Sequence, residues 1–595
     1  MRVFARPLAS LATAIDRTIG WDRLPRPLGL ATLIGVRSRL RRRNLWDTKL
    51  VRTAPPAPAD SDIRTIDGSY NDLGEPVMGS VGTRFGRNVD PKWTFPDVPE
   101  LLNPNPREVS RKLLTREQFI PAWTLNVLAA AWIQFEVHDW FSHRFADQNP
   151  FEIPIADDDN WPERPMRIKR TERDPSSGGD GSPPTFVTHD SHWWDASQIY
   201  GSDPYFANAI RTPDGKLVLD EHNLPPAKLL EEAIRLSPTA VNFWVGLGLL
   251  HTLFMREHNA IVDHLLAEER RRSWTPDELY NTARLINAAV TAKIHTVEWT
   301  PAIIAHPTTE SGMRANWYGL MGDRFRFLRR FGLLGRSDVL TGIPGSPTDH
   351  HTAPYSLTEE FVAVYRMHPL IPDEYVFRSV QNDQELGTFE LPELDAWQTH
   401  GRLVEFGMPN LLYSFGIAHP GAITLHNYPR HLQQLTRTVG DTVENIDLAA
   451  TDILRMRERG VPRYNEFRRL FHRRPVKSFK DLNPNPIVAD ELRRVYGDVD
   501  SLDLMIGLYA EPAPQGFAFS DTTFRVFILM ASRRLKSDRF FTSGYTPEVY
   551  TQAGLDWIAD ATMSKVLLRH YPELAPALWG VDNAFKPWTR VAQLR

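Results

Sequence analysis

No cysteine occurs anywhere in the 595 residues, and that absence constrains the fold more than any other single feature. Disulfides cannot hold the chain, iron–sulfur clusters and thiolate haem ligands are excluded, and no thiol nucleophile is available. Stability must come from buried apolar surface, which a chain of this length can supply. The balance of 42% apolar and 24% charged residues suits a globular protein. A formal charge of −4 argues against a general nucleic-acid binder. No stretch offers the roughly 20 uninterrupted apolar residues of a membrane span; the longest, Val241 to Met255, is short and carries Asn242 and His251. Arg2 and Arg6 precede a brief apolar run, Leu8 to Ala12, that soon meets Asp16 and Arg17, so a cleaved signal peptide is not expected. These features predict a cytoplasmic protein.

Residues 1 to about 45 mix apolar stretches with Arg37, Arg39, Arg41, Arg42 and Arg43. Read functionally, this is an amphipathic segment that touches anionic lipid, peripheral to a membrane; read plainly, it is a solvated basic face. Thr53 to Ala59 alternates Pro and Ala as a stiff spacer, and Gly- and Asn-rich text through Pro91 reads as an irregular arm. Glu172 to Pro184 reads as a surface loop. Most of the rest has helical spacing: 119–145, 243–269, 276–304, 357–366, 524–536 and 547–571. Strand-like alternation is sparse and no repeat of fixed period is found. The expected fold is mainly α, with an extension over 1–61 and one large α-helical domain over 62–595.

Tyr365-Arg366-Met367-His368-Pro369 sets a phenol and an imidazole three residues apart at the end of an apolar helix. Residues so spaced share a helix face, about 5–6 Å apart. If His368 ligates a haem iron, Tyr365 is held near that haem, a layout for a tyrosyl radical. Alone, with 19 histidines in the chain, the pair is equally ordinary packing. Gln134 and His138, four apart, offer an amide and an imidazole on one helix face, as the open side of a haem needs; a structural polar pair is the plain alternative. Ser191, Trp193, Asp195 and Ser197 alternate along a loop, and with Asp139 they supply hydroxyls, a backbone carbonyl and two carboxylates. An oxygen-only cage with two negative charges suits Ca²⁺.

Together these segments resemble the animal-type haem peroxidase/cyclooxygenase superfamily, and within it the fatty-acid α-dioxygenases of bacterial type. The resemblance runs from about residue 62 to the C-terminus. It covers Gly82–Asn88, Trp132–Trp140, Ser191–Gly201, Leu253–Asn259, Ile294–Thr300, Tyr365–Asp373 and Ala531–Thr542 in order. It implies that His368 is the proximal iron ligand, that His138 is the distal histidine with Gln134 beside it, and that Tyr365 is the radical residue. It implies calcium at Asp139, Ser191, Trp193, Asp195 and Ser197; Ser191 stands where the family usually has Thr and keeps the hydroxyl. His295, Thr300 and Arg534 match the positions that hold the substrate carboxylate, although Arg533 and Arg539 lie close in sequence and the helix phase is open. One departure stands out: the stretch 237–244 contains no Arg, Glu or Met, where peroxidase members carry a distal arginine and haem-bonding side chains. Non-covalent haem b is therefore expected.

The implied activity is fatty-acid α-dioxygenation. A hydroperoxide activates the haem, Tyr365 becomes a radical, the Cα hydrogen of a fatty acid is abstracted, and O₂ adds to give a 2-hydroperoxy acid that can decarboxylate to a shortened aldehyde. The alternatives are a haem peroxidase that oxidises small substrates with hydrogen peroxide, and a dioxygenase that attacks the acyl chain at mid-length.

Overall fold

The computed structural model describes residues 5–48, 52–96, 98–177, 181–229, 243–322, 338–439 and 442–594. Part of the expected Glu172–Pro184 loop (178–180) and residues 237–242 of the arginine-free stretch lie outside these. The described chain is largely helical. Eight helices position the site: α1 (Ala5–Thr18), α2 (Arg26–Arg43), α3 (Val127–Trp140), α4 (Val245–Glu268), α5 (Pro276–Ile294), α6 (Glu359–Val364), α7 (Leu448–Glu458) and α8 (Asp521–Ser537). The strands form separate antiparallel hairpins: β1 (Phe145–Ile153) with β2 (Met166–Thr171), β3 (Glu374–Arg378) with β4 (Glu385–Glu390), and β5 (Leu435–Val439) with β6 (Thr442–Ile446). One continuous apolar core runs through α2 to α8.

Helix α3 is the spine of the site. The Asn126 side chain caps it by accepting the Ala129 N–H at 3.1 Å. A helix buried on every side must be apolar on every side, and α3 nearly is. Only Gln134, Val137 and His138 of its 14 residues escape full burial. They are spaced i, i+3, i+4, and all three line one cavity. Helix α4 packs against both α3 and α5. Helix α5 begins with Pro276 behind a Thr275/Glu278 capping box.

Three expected helices are shorter or interrupted. The span predicted over 119–145 is helical only across α3, because Pro121 and the Asn126 cap delay its start. The span over 357–366 is helical from Glu359 to Val364, and His368–Leu370 forms a separate 3₁₀ turn with Pro369 inside it. Tyr365 and His368 are therefore not on one regular helix. The span over 547–571 breaks into Pro547–Tyr550, Gln552–Asp560 and Met563–His570 at Thr551 (φ 62°) and at the Thr562 cap.

The N-terminal helices are packed into the body. Leu33, Val36 and Leu40 of α2 join the core, and Trp21 is buried with its Nε1–H donated to Asp521 at 2.9 Å. Asp16 pairs with Arg525 at 2.8 Å. Two arginines of the basic run turn inward as well: Arg37 donates to Asn316 and Arg41 to Ser532, both at 2.9 Å. The apolar side of α2 is thus spent on the protein itself, while Arg42 and Arg43 stay exposed. No helix of the described residues is long and apolar enough to cross a membrane.

Candidate active site

A cavity of about 880 Å³ separates α3 from the Tyr365–Ile371 segment. Its upper wall carries Gln134 and His138, its lower wall Tyr365 and His368. Ala130, Ile133, Val137, Val362, Leu370 and Leu448 supply apolar faces, and Arg366, Arg455 and Arg459 line a polar end. The size lies within the range of cofactor sites. Burial lowers His138 to about 4, so its imidazole is neutral at ordinary pH and can accept a proton. The Gln134 carbonyl accepts the Trp244 Nε1–H at 2.8 Å, which fixes the amide plane.

His368 Nδ1 stands 3.0 Å from Asp452 Oδ2, although the N–H is not aimed for a linear hydrogen bond. Burial would raise the Asp452 carboxyl, but the Arg366 guanidinium and the His368 imidazole outweigh it and hold it at about 2. Nε2 is left as the nitrogen for another partner, an arrangement common to metal-binding histidines. Arg455 has a buried Nε without a partner, and its guanidinium stacks on Phe145 at 3.8 Å. Two opposed histidines, flat apolar walls and an arginine-lined end fit a haem with its propionates.

Tyr365 is the hinge between this cavity and a second one. Its ring stacks on Phe527 (4.6 Å, 12°) and meets Trp140 edge-on at 5.3 Å. Phe527 in turn lines an apolar cavity of about 70 Å³ together with Leu33, Ile34, Thr300, Phe524 and Ile528. Burial raises the Tyr365 phenol above its ordinary range.

Arg534 and Thr300, near Tyr365 and Phe527, hold unused hydrogen-bonding capacity. The Arg534 guanidinium is sandwiched between Trp140 (3.6 Å) and Trp194 (4.0 Å), with Nε and Nη2 unpartnered. Burial lowers its pKa. Arg533 points elsewhere, donating to the carbonyls of Ala353, Pro354 and Ser356, and Arg539 binds the carbonyls of Ser61 and Asn71. The helix phase is thereby resolved, and Arg534 is the inward guanidinium. His295 is buried against Trp299 (4.6 Å), Trp194 and Trp140. Its Nδ1 accepts the Trp132 Nε1–H at 3.1 Å, so its proton sits on Nε2 as a donor. Burial, then Arg534, keep it well below its ordinary pKa. The Thr300 hydroxyl is buried without a partner.

A π-turn over His295–Trp299 brings His295 and Thr300 together. Five residues apart on an α-helix they would diverge by about 140°. Here the Thr300 N–H bonds back to the His295 carbonyl, an i→i+5 closure that narrows this divergence. Pro301, which has no N–H, follows directly. The periodicity of 276–304 could not show this.

The loop residues converge on the end of α3. Ser197 Oγ donates to Asp139 Oδ1 at 2.9 Å and Ser191 Oγ to Asp195 Oδ2 at 2.8 Å. Asp139 Oδ2 and Asp195 Oδ1 are buried and unpartnered. Burial and the neighbouring Asp195 push Asp139 well above the usual carboxylate range; burial raises Asp195 too, against the pull of Arg284. Two half-satisfied carboxylates that repel one another fit a bound cation. Trp193 is packed on Tyr355 at 4.5 Å, so its backbone is held in place.

Sequence reading missed several residues. Arg455 and Arg459 line the cavity, and Asp452 stands behind His368, but none carries a local motif. His251, which burial lowers to about 3, lines a further cavity of about 440 Å³ with His138. Glu136 is one of two acids in the apolar helix α3, and its place in the sequence does not distinguish it from an ordinary buried acid.

The sequence profile of the animal haem peroxidases matches residues 63–579. The chain belongs to that family. Within it, the chain groups with the α-dioxygenases. It is 37% identical to alpha-dioxygenase PIOX of Oryza sativa subsp. japonica over 594 residues, covering 97% of this chain and 94% of the relative. The crystal structure of the Oryza sativa fatty acid alpha-dioxygenase superposes with a TM-score of 0.90 at 37% identity, over 99% of this chain and 98% of that one. A substituted form of the rice enzyme solved with palmitic acid superposes equally well, at 36% identity.

Proposed function

We propose that this chain is a haem-dependent fatty-acid α-dioxygenase that uses a tyrosyl radical at Tyr365 to remove the Cα hydrogen of a fatty acid. O₂ then adds at Cα, the peroxyl radical takes the hydrogen back from Tyr365 to give the 2-hydroperoxy acid, and loss of CO₂ and water gives the shortened aldehyde. One observation carries the reading. Tyr365 shares a cavity with two histidines, while its stacking partner Phe527 lines an apolar cavity with the unpartnered Thr300 hydroxyl and its edge-on partner Trp140 carries the unpartnered guanidinium of Arg534.

His368 would hold the haem iron, with the Asp452 carboxylate beside its Nδ1, and Arg366, Arg455 and Arg459 would meet the propionates. Haem supplies the oxidising equivalent that a hydroperoxide delivers. His138, neutral and facing the cavity, would accept a proton from a hydroperoxide there, and the Gln134 amide would orient that hydroperoxide. Because burial disfavours a phenolate at Tyr365, its proton and electron leave together and a neutral radical results. Arg534 binds the substrate carboxylate by charge-assisted hydrogen bonds; His295 Nε2–H and Thr300 Oγ–H add donors. Pinning the head group places Cα–H nearest Tyr365, and position sets regiochemistry. Asp139, Ser191, Asp195, Ser197 and the Trp193 carbonyl would hold Ca²⁺, which would tie the loop to the end of α3 next to His138.

Incubation of the haem-loaded protein with palmitate and O₂ tests the reading. A saturated acid offers no bis-allylic hydrogen, so 2-hydroperoxypalmitate and pentadecanal are expected by mass spectrometry. Turnover of guaiacol with peroxide, and no oxygen uptake with palmitate, would overturn it.

A further inference from the structure

Glu136 lies in α3 one turn before Trp140, fully buried, and the proposed chemistry does not use it. Its Oε2 accepts the Trp194 Nε1–H at 2.7 Å, while Oε1 is buried without a partner. The indole it holds is one of the two faces that clamp Arg534, and Trp140 is the other. Arg534 also retains unpartnered N–H groups. A buried acid and a buried cation, each incompletely satisfied, therefore meet the same Trp194 indole, and the cation is the group assigned to the substrate carboxylate. One guanidinium cannot compensate two carboxylates in a low-dielectric pocket, because like charges at such range disfavour joint ionisation.

We propose that Glu136 is a resident competitor for Arg534: as a carboxylate it closes the subsite to the fatty-acid head group, and as a carboxylic acid it opens it. The inference rests on the reading of Arg534 above. The exchange balances without a redox partner. Substrate carboxylate plus one proton enter, the substrate anion takes Arg534, and the proton resides on Glu136.

The groups that face Glu136 leave this exchange to it. Asp139 follows one turn along α3 and Asp195 stands in the loop opposite, both within the cation cage; His295 and Tyr365 are held neutral by burial. Arg534 is the cation acting on Glu136. Burial pushes the Glu136 carboxyl to about 8, against the pull of Arg534 and Trp194. The subsite is open below that pH and closes as the pH rises through it.

The test is palmitate affinity on haem-loaded Y365F protein, which binds without turnover, between pH 6.5 and 9.5. Below pH about 8 the dissociation constant should be flat; above it, weaker by about tenfold per pH unit, the signature of one linked proton. E136Q keeps an acceptor for Trp194 and should remove the slope, binding about tenfold tighter than its parent at pH 9. Calorimetry at pH 9 in two buffers of different ionisation enthalpy should show close to one proton taken up, and this needs no change at Glu136. An unchanged slope in E136Q, or no proton uptake at pH 9, overturns the proposal provided R534L still weakens palmitate. If R534L binds palmitate as its parent does, the assignment of the carboxylate pocket fails instead.

Discussion

Tyr365 is the residue on which the chemistry turns, and its surroundings explain why it forms a radical and not an anion. Stacking on Phe527 and contact with Trp140 and Phe361 exclude water from the ring. Removing the hydroxyl alone leaves that packing in place. Tyr365→Phe should therefore abolish oxygen uptake with palmitate while the Soret band, and thus the His368 ligation, is unchanged. Retained oxygenation in that variant would sink the radical role. At this scale the motif reading was informative because the residue types carry the chemistry: a phenol, two imidazoles and a guanidinium have few substitutes. What the residues could not reveal was orientation, and the neighbours Arg533 and Arg534 illustrate it, one bound to carbonyls and the other aimed at the pocket.

Two elements set the geometry of the site. The π-turn after α5 aligns His295 with Thr300. Deleting Val297 should convert it to an α-turn and rotate Thr300 by about 100°. KM for palmitate should rise by more than about tenfold, with haem binding intact by the Soret band; an unchanged KM would show that the turn does not position the carboxylate donors. The second element is the Ser191–Ser197 loop tied to the end of α3. Chelation should release calcium as measured by metal analysis and lower the thermal midpoint by several degrees, because the repulsion between Asp139 and Asp195 is no longer compensated; Asp139→Asn removes a ligand and should lose the calcium by the same measurement. A protein purified free of calcium with an unaltered midpoint would refute the cage. Neither element is visible as periodicity, because a π-turn adds one residue within an otherwise regular pattern and the cage is assembled from a helix end and a loop 52 residues further on.

The whole molecule relies on histidines buried without charge. His258 accepts from the Tyr200 hydroxyl at Nδ1 and donates to the Gly215 carbonyl at Nε2, and burial lowers it to about 4. His192, packed edge-on against Phe85, is lowered by burial to about 3. In the unfolded chain both return to about 6.5. A folded pKa below the unfolded one gives stability that is present above the unfolded value and lost as pH falls through that value toward the folded one. Each site contributes on the order of 3 kcal/mol. Denaturant midpoints should hold above pH about 7 and fall steeply between about 6.5 and 4. A midpoint that is flat across that window would contradict neutral burial of these rings.

The order of residue types along the chain was enough to establish that a cysteine-free protein of this length folds around helices, and that a phenol, two histidines, an acid-bearing loop and a basic pair recur in the pattern of one family. Those are local facts, carried by chemistry and spacing. Long-range packing determined the remainder. It chose Arg534 over its neighbours, bent the Tyr365–His368 segment around Pro369, and buried α2 against α8. It also brought α7 to the Tyr365–His368 segment, setting Asp452 against His368 and Arg455 in the cavity wall. The cause is that burial and orientation depend on contacts between residues hundreds of positions apart, and no window of sequence contains both partners.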